Sequence, residues 1–155
     1  MLESRADLWG YVDVVRSEID RALMNHLPLI PVDVGSSFND ALRYSLFPGG
    51  KRLRPVLTLL GAELIGGRGS EAMTAAVAVE YVHTSSLIFD DLPCMDNATQ
   101  RRGLDALHRR YGEGLAVLVA LALLNTSYGL VLNNRNATPQ QRMQAHPHSR
   151  ELRRA

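Results

Sequence analysis

The sequence lacks the residues on which many secreted and membrane proteins depend. Cys94 is the single cysteine among 155 residues, which excludes an internal disulfide framework and favours a reducing, cytoplasmic location. The N-terminus lacks the basic-then-apolar order of a signal peptide. The longest apolar run, Leu115 to Leu124, is shorter than a bilayer requires, so we expect no membrane span.

An excess of charge of either sign is also missing. The net charge is +1, so the overall charge gives no reason to expect binding to nucleic acid or to an acidic membrane surface. Nearly all cations are arginines, and Lys51 is the only lysine. Hydrophobic residues make up 46% of the chain and charged residues 21%, which is typical of a globular domain with a core.

Strand-like alternation is scarce, whereas helical spacing recurs along the chain. Apolar residues step by three or four from Leu8 to Leu27, which predicts a helix ended by Pro28 and Pro31. Further helices are predicted over residues 37–46, 52–65, 70–91, 105–111 and 114–132. The pattern predicts an all-α fold. Residues 133–155 form a polar tail, in which Thr138-Pro139 could start a helix with little to pack on.

Three carboxylates cluster where the fourth predicted helix ends: Asp90, Asp91 and Asp96. Acids are disfavoured at a helix C-terminus and adjacent acids repel each other, and a bound divalent cation resolves both problems. Hard oxygen ligands suit Mg²⁺. An isolated Asp-Asp pair is more often a solvated acidic loop. Arg101 and Arg102, which alone would be read as surface charges, add donors matched to phosphate oxygens and so favour a diphosphate site.

A second cluster, Gly49-Gly50-Lys51-Arg52-Leu53-Arg54-Pro55, precedes the third predicted helix. Glycines allow close backbone approach, and a helix N-terminus attracts anions, so Lys51 and Arg54 form a candidate anion site. The alternative is a basic helix start after a turn. His83 lies about two turns before Asp90 on the same predicted face, which places it in the same cavity unless it is an ordinary core histidine.

These segments together resemble the trans-isoprenyl diphosphate synthase (polyprenyl synthetase) family, of the farnesyl or geranylgeranyl diphosphate synthase type. The resemblance is carried by Phe47-Pro48-Gly49-Gly50-Lys51-Arg52-Leu53-Arg54-Pro55, Val79-Glu80-Tyr81-Val82-His83-Thr84, Phe89-Asp90-Asp91-Leu92-Pro93-Cys94-Met95-Asp96-Asn97 and Arg101-Arg102-Gly103. It implies a helical bundle of the isoprenoid synthase type, of which residues 1–132 would form roughly the first half and residues 133–155 a tail.

The resemblance implies a magnesium-dependent prenyltransferase of isoprenoid biosynthesis, which condenses isopentenyl diphosphate with an allylic diphosphate. The partner would be a second copy or a full-length synthase. The implied roles are Mg²⁺ binding by Asp90, Asp91 and Asp96, contact with the allylic diphosphate by Arg101, binding of isopentenyl diphosphate by Lys51, Arg54, His83 and Arg102, and catalysis by Asp90, Asp91 and Lys51.

The sequence also departs from the family pattern. No aspartate follows Asp105, so the family's second aspartate-rich motif is absent from this sequence, and Ala120-Leu121 replaces a Gly-Asp pair. The alternative is therefore an inactive, truncated homologue that binds diphosphate or pairs with a full-length synthase. Ser85 and Ser86, which precede Asp90, leave room for a long product if they line the tail pocket.

Overall fold

The computed structural model describes residues 5–47, 50–134 and 138–141. The predicted all-α fold is confirmed, with one short hairpin added that the sequence analysis did not anticipate. The elements in the described part of the chain are α1 (Arg5–Asn25), α2 (Val32–Leu46), α3 (Leu53–Leu64), α4 (Gly69–Asp90), β1 (Gln100–Arg101), β2 (Leu104–Asp105), α5 (Leu107–Tyr111) and α6 (Glu113–Leu132).

Proline and glycine set most of the helix ends. Helix α1 ends three residues before Pro28, and α4 ends three residues before Pro93. Pro55 lies in the first turn of α3, where a missing N–H donor does no harm. Helix α2 begins at Val32, five residues earlier than predicted, and is broken internally at Gly35, whose φ is −166° and ψ is 63°. A Cβ at Gly35 would clash with the Ile30 side chain.

The chain divides into two compact units that alternate along the sequence. The first unit contains residues 1–26, 51–80 and 129–155, and the second contains residues 27–50 and 81–128. Lys51 and Arg54 therefore belong to the first unit. The aspartate-rich segment, His83 and the two hairpin arginines belong to the second.

The first unit is built on the packing of α1 against α3. The predicted apolar stripe of α1 faces its core, because Val12, Val15, Ile19 and Leu23 are buried. The Tyr11 hydroxyl donates to Glu63 Oε1 at 3.1 Å and ties the two helices together at their edge.

The second unit has α2 packed against α5. Buried Asn39 holds the segment before α2 in place: Ile30 N–H donates to its Oδ1 at 3.0 Å, and its Nδ2 donates to the Ile30 carbonyl at 2.7 Å. Helix α6 contributes buried side chains along one side, namely Ala116, Val119, Ala120, Leu123 and Ser127.

Two described helices, α4 and α6, are long and apolar enough to cross a membrane by length and composition. The sequence analysis expected no membrane span, because the uninterrupted apolar run covers only residues 115–124. Asn125, Thr126 and Ser127 interrupt the apolar helix only mildly, so the apolar stretch of α6 is longer than that run. The core helix of a globular protein meets the same criterion, so the finding is weak as an indication of a span.

The described part of the tail contains a helix start. Gln141 N–H donates to Thr138 Oγ1 at 3.2 Å, while Thr138 N–H donates to Gln141 Oε1 at 2.8 Å. This reciprocal pair is a capping box, and residues 139–141 are helical. Residues 138–141 have the start of the helix that Thr138-Pro139 could form, and its extent stays a prediction. The rest of the tail, residues 142–155, lies outside the described residues.

Candidate functional site

The aspartate-rich segment forms a compact turn directly after α4. Asp91 N–H still donates to the Leu87 carbonyl at 3.1 Å, which completes the last helical turn. Asp96 N–H then donates to the Asp90 carbonyl at 2.9 Å. The backbone thus closes on itself between the first and last aspartates, and Asn97, with a φ of 49°, turns the chain away. The three predicted metal ligands are therefore collected at one end of the helix.

Asp91 differs from the other two aspartates because its carboxylate is buried and paired. Only 5% of its side chain is exposed, and Arg101 Nε lies 3.1 Å from both carboxylate oxygens. Arg101 Nη2 donates to Oδ1 as well. This two-pronged arrangement raises the pKa of Arg101, first through the hydrogen bonds to Asp91 and further through the negative charges of Asp91, Asp90 and Asp96, against a lowering by burial. Arg101 is thus a permanent cation within reach of all three carboxylates.

Arg101 and Arg102 are positioned by the hairpin of β1 and β2. Gln100 pairs with Asp105 and Arg101 with Leu104 across a two-residue turn. The turn residues, Arg102 and Gly103, have φ values of 55° and 79°, as the tight hairpin turn with matching twist requires. The two consecutive arginines therefore differ in place: Arg101 lies in the strand facing Asp91, and Arg102 lies at the tip.

The tip arginine reaches the glycine-rich loop. A Cβ placed on Gly50 would lie 3.4 Å from Arg102 Cζ, which puts the guanidinium against the bare backbone of that glycine. Gly50 is the residue directly before Lys51 in the sequence. Arg102 therefore lies against a glycine of its own unit, the second one.

A small cavity lies beside the Asp91–Arg101 pair. Its volume is about 50 Å³, room for one or two water molecules, and its lining includes Thr84, Asp91, Arg101, Arg102 and Tyr44. Thr84 is 3% exposed, and its hydroxyl oxygen has no hydrogen-bond partner among the described residues. A buried polar atom of this kind favours a polar occupant of the cavity.

Sequence reasoning missed Thr84 and Tyr44. The Tyr44 hydroxyl donates to the Asp105 carbonyl at 2.9 Å, and the Arg110 guanidinium stacks 4.5 Å from its ring centroid, so Tyr44 braces the hairpin from α2. Thr84 follows His83 directly, yet no pattern in the sequence distinguishes it from an ordinary helix residue.

The residues before Asp90 are placed differently from the expectation that they line a tail pocket. Ser85 is 1% exposed, and its hydroxyl donates to the Ala120 carbonyl at 2.9 Å, so its small side chain brings α4 close to α6. Ser86 is exposed and donates to the His83 carbonyl. His83 itself is half-buried. Burial of Tyr81 raises the pKa of its phenol well above the usual range.

In the first unit, Lys51 and Arg54 are exposed at the start of α3. The helix has no acidic residue in its first turn and no side-chain hydrogen bond at its N-cap. A helix N-terminus without a side-chain cap and with two cations beside it suits an anion, and the anion site at Lys51 and Arg54 stays a prediction. Arg52, between them, is buried, which the sequence did not indicate.

The carboxylates have the oxygen chemistry that Mg²⁺ prefers, but they do not by themselves form a complete set of metal ligands. Among the described residues, no group of three His, Cys, Asp or Glu side chains is close enough to hold a metal ion unaided. Mg²⁺ typically takes only one or two carboxylates, with water and substrate phosphates completing its six ligands. Hard oxygens at Asp90 and Asp96, one half-buried and one exposed, meet that requirement.

Comparisons with known proteins concern the family and the fold of the chain. The sequence profile of the polyprenyl synthetase family matches residues 36–147. Heterodimeric geranylgeranyl pyrophosphate synthase large subunit 1 of Arabidopsis thaliana is 46% identical over 126 residues, which cover 81% of this chain and 33% of the relative. Geranylgeranyl pyrophosphate synthase 9 of the same plant is 52% identical over 99 residues, 64% of this chain and 28% of the relative.

Solved structures give the same answer for the fold. The FPP/GFPP synthase of Zymomonas mobilis, in its apo form, superposes with a TM-score of 0.82 at 33% identity, over 90% of this chain and 50% of that one. The chain belongs to the polyprenyl synthetase family, with the fold of the isoprenoid synthases. It spans about a third of the length of the curated relatives and about half of that solved structure.

Proposed function

We propose that this chain supplies one wall of the active site of a prenyltransferase that condenses isopentenyl diphosphate with an allylic diphosphate, of the farnesyl or geranylgeranyl type. The observation that carries the proposal is the fixed Asp91–Arg101 pair with Asp90 and Asp96 around it. It places a permanent cation and three carboxylates at one helix end, which is the equipment for holding a diphosphate through a divalent metal.

Each cluster has its own part in the proposal. Asp90, Asp91 and Asp96 would hold Mg²⁺, and the ion would supply positive charge to neutralise the diphosphate that leaves the allylic substrate. Arg101 contacts the same diphosphate, and its raised pKa keeps it charged at any working pH. Cations fixed before the reaction stabilise the departing anion without reorganisation.

The isopentenyl diphosphate is assigned to the other cations. By the family resemblance, Lys51, Arg54, His83 and Arg102 bind its diphosphate. The exposed position of Lys51 and Arg54 at a helix N-terminus without a side-chain cap supports their part of this assignment. The double bond of isopentenyl diphosphate then attacks the allylic carbocation, and a proton is lost.

A second candidate is a homologue that is catalytically inactive on its own and that binds diphosphate or pairs with a full-length synthase. It is favoured by the names of two of the similar relatives, which are called large subunits of heterodimeric geranylgeranyl pyrophosphate synthases. We propose a second copy or a full-length synthase as the partner.

The deciding assay incubates the purified chain with Mg²⁺, isopentenyl diphosphate and farnesyl diphosphate, alone and with a full-length synthase whose own first aspartate motif has been inactivated. Product from the chain alone supports the enzyme. Product only in the mixture supports the partnered homologue. Absence of product in both, from folded chain, would refute the prenyltransferase proposal.

A further inference from the structure

Arg52 is buried although it lies between two exposed cations. It is 2% exposed, whereas Lys51 and Arg54 face solvent. Its Nε donates to Asp20 Oδ1 on α1 at 2.8 Å, and its Nη1 donates to Glu80 Oε1 on α4 at 2.8 Å. All three residues belong to the first unit. We refer to them as the Asp20–Arg52–Glu80 triad.

The triad fixes the backbone as well as the side chain. Arg52 has a φ of 51° and a ψ of 31°, a left-handed conformation that a residue with a Cβ adopts only when its surroundings impose it. Its carbonyl accepts the hydrogen bond of Val56 N–H at 3.1 Å, which starts α3. A guanidinium buried between two carboxylates is retained only while both pairs are intact, so the turn at Arg52 is held from α1 and α4 together.

From this geometry we infer that Arg52, with Asp20 and Glu80, is the positioning residue that presents Lys51 and Arg54 to the diphosphate. The inference rests on the proposed function of those two cations. Two positive side chains at the positive end of a helix dipole repel the helix and each other when no anion is bound. The buried triad keeps them in place in the empty site, so that less ordering is required when the diphosphate arrives.

The single lysine of the chain provides a direct probe. An endoproteinase specific for lysine can cut only after Lys51, giving residues 1–51 and 52–155. Glu80→Gln keeps the size of the side chain and removes its charge, and we expect cleavage about tenfold faster because the turn opens locally. Digestion is compared at a temperature at which circular dichroism shows every variant folded.

Val77→Ala is the matched control. Val77 is fully buried on α4, one turn before Glu80, and lies outside the triad. Its truncation lowers the melting temperature without touching the charges, so cleavage should stay at the wild-type rate. Equal cleavage of Glu80→Gln and wild type, or an equal increase in Val77→Ala, would overturn the positioning role.

The second measurement is the binding of inorganic pyrophosphate to the same proteins by calorimetry. We expect about tenfold weaker binding for Glu80→Gln, a smaller loss for Asp20→Asn because the Asp20 side chain is 35% exposed, and none for Val77→Ala. Wild type that binds no pyrophosphate would refute the proposed function and this inference together. Wild-type affinity retained in Glu80→Gln would refute the inference alone.

Discussion

The three aspartates of the motif have identical side chains and different environments. Asp91 is buried and satisfied by Arg101, whereas Asp96 is exposed to solvent. A buried carboxylate needs its partner, and an exposed one is available to a cation at little cost. Arg101 therefore satisfies the Asp91 carboxylate, whereas the Asp96 side chain stays open to solvent.

Replacing Asp91 tests this arrangement. Asp91→Asn removes the charge that Arg101 pairs with, and Arg101 can rehydrate because 39% of its side chain is exposed. We expect the free energy of unfolding to fall by about 1–2 kcal/mol and Mg²⁺-dependent pyrophosphate binding to weaken at least about tenfold. Urea denaturation and calorimetry measure the two effects.

Asp40→Asn is the control for this change, because it removes an exposed carboxylate that only faces Arg43 at 4.0 Å in the same unit. It should alter neither quantity. Unchanged pyrophosphate binding in Asp91→Asn, with the protein folded, would contradict the assignment of Asp91 to the metal site.

The raised pKa of Tyr11 determines the direction in which the stability of the fold changes with pH. Partial burial, then the hydrogen bond to Glu63, raise the pKa of its phenol to about 12 from an ordinary value of 10.0. Below pH 10 the phenol is neutral in both states, so the stabilisation from its hydrogen bond to Glu63 is fully present and does not change with pH. Between about pH 10 and 12 the unfolded chain loses the proton first, so stability falls as pH rises. Melting temperatures from pH 9 to 12 should decline more steeply for wild type than for Tyr11→Phe, and parallel curves would refute the coupling.

At the scale of elements, the sequence predicted the helix ends that neighbouring proline and glycine residues determine. Proline and glycine marked the ends of α1, α3 and α4 to within a few residues. The sequence prediction was wrong at the start of α2. Pro31 precedes the first helical residue, and the break at Gly35 interrupts the helical spacing from which this part of the helix would have been predicted. A break of this kind depends on a contact with Ile30 that spacing does not encode.

The hairpin was missed for a different reason. Strands of two residues are too short to show alternation, and an Arg-Gly turn lacks the Asn or Asp that usually announces a left-handed first position. Its stability comes instead from tertiary contacts, with Tyr44 on one strand and Asp91 on the other. The sequence motif proposed Arg101 and Arg102 as site residues, but it did not predict that Arg101 is the one that pairs with Asp91.

Two glycine substitutions should act in opposite directions. Gly103 has a φ of 79° in the hairpin turn, so Gly103→Ala strains the backbone although its Cβ meets nothing within 4 Å. We expect a loss of about 1 kcal/mol and weaker diphosphate binding, because both arginines shift. Gly61→Ala lies inside α3, where the added Cβ also meets nothing, and should stabilise by about 0.5–1 kcal/mol. Denaturant midpoints decide, and equal signs would refute the argument.

At the scale of the whole molecule, the site residues reflect how the chain is divided. Lys51 and Arg54 lie in one compact unit, and the aspartates and hairpin arginines lie in the other. Both sets were proposed as site residues from their resemblance to family motifs. Roles that depend on packing, such as those of Arg52 and Thr84, became visible only in three dimensions, because burial decides which polar groups need a partner.

Helix α6 carries the prediction that concerns association. Leu118, Leu121 and Tyr128 are 56%, 49% and 38% exposed and follow one another at helical spacing on a single face. Apolar side chains grouped in this way favour contact with another protein surface, in keeping with the proposed pairing with a second copy or a full-length synthase.

Leu121→Glu should weaken self-association or association with a full-length synthase about tenfold or more in sedimentation velocity, since a buried leucine contributes about 1.5–3 kcal/mol. Asn125→Glu adds the same charge on the same face, between Leu121 and Tyr128, without removing an apolar side chain, and should weaken association less. Equal effects of the two substitutions would show that added charge, rather than loss of an apolar contact, governs association.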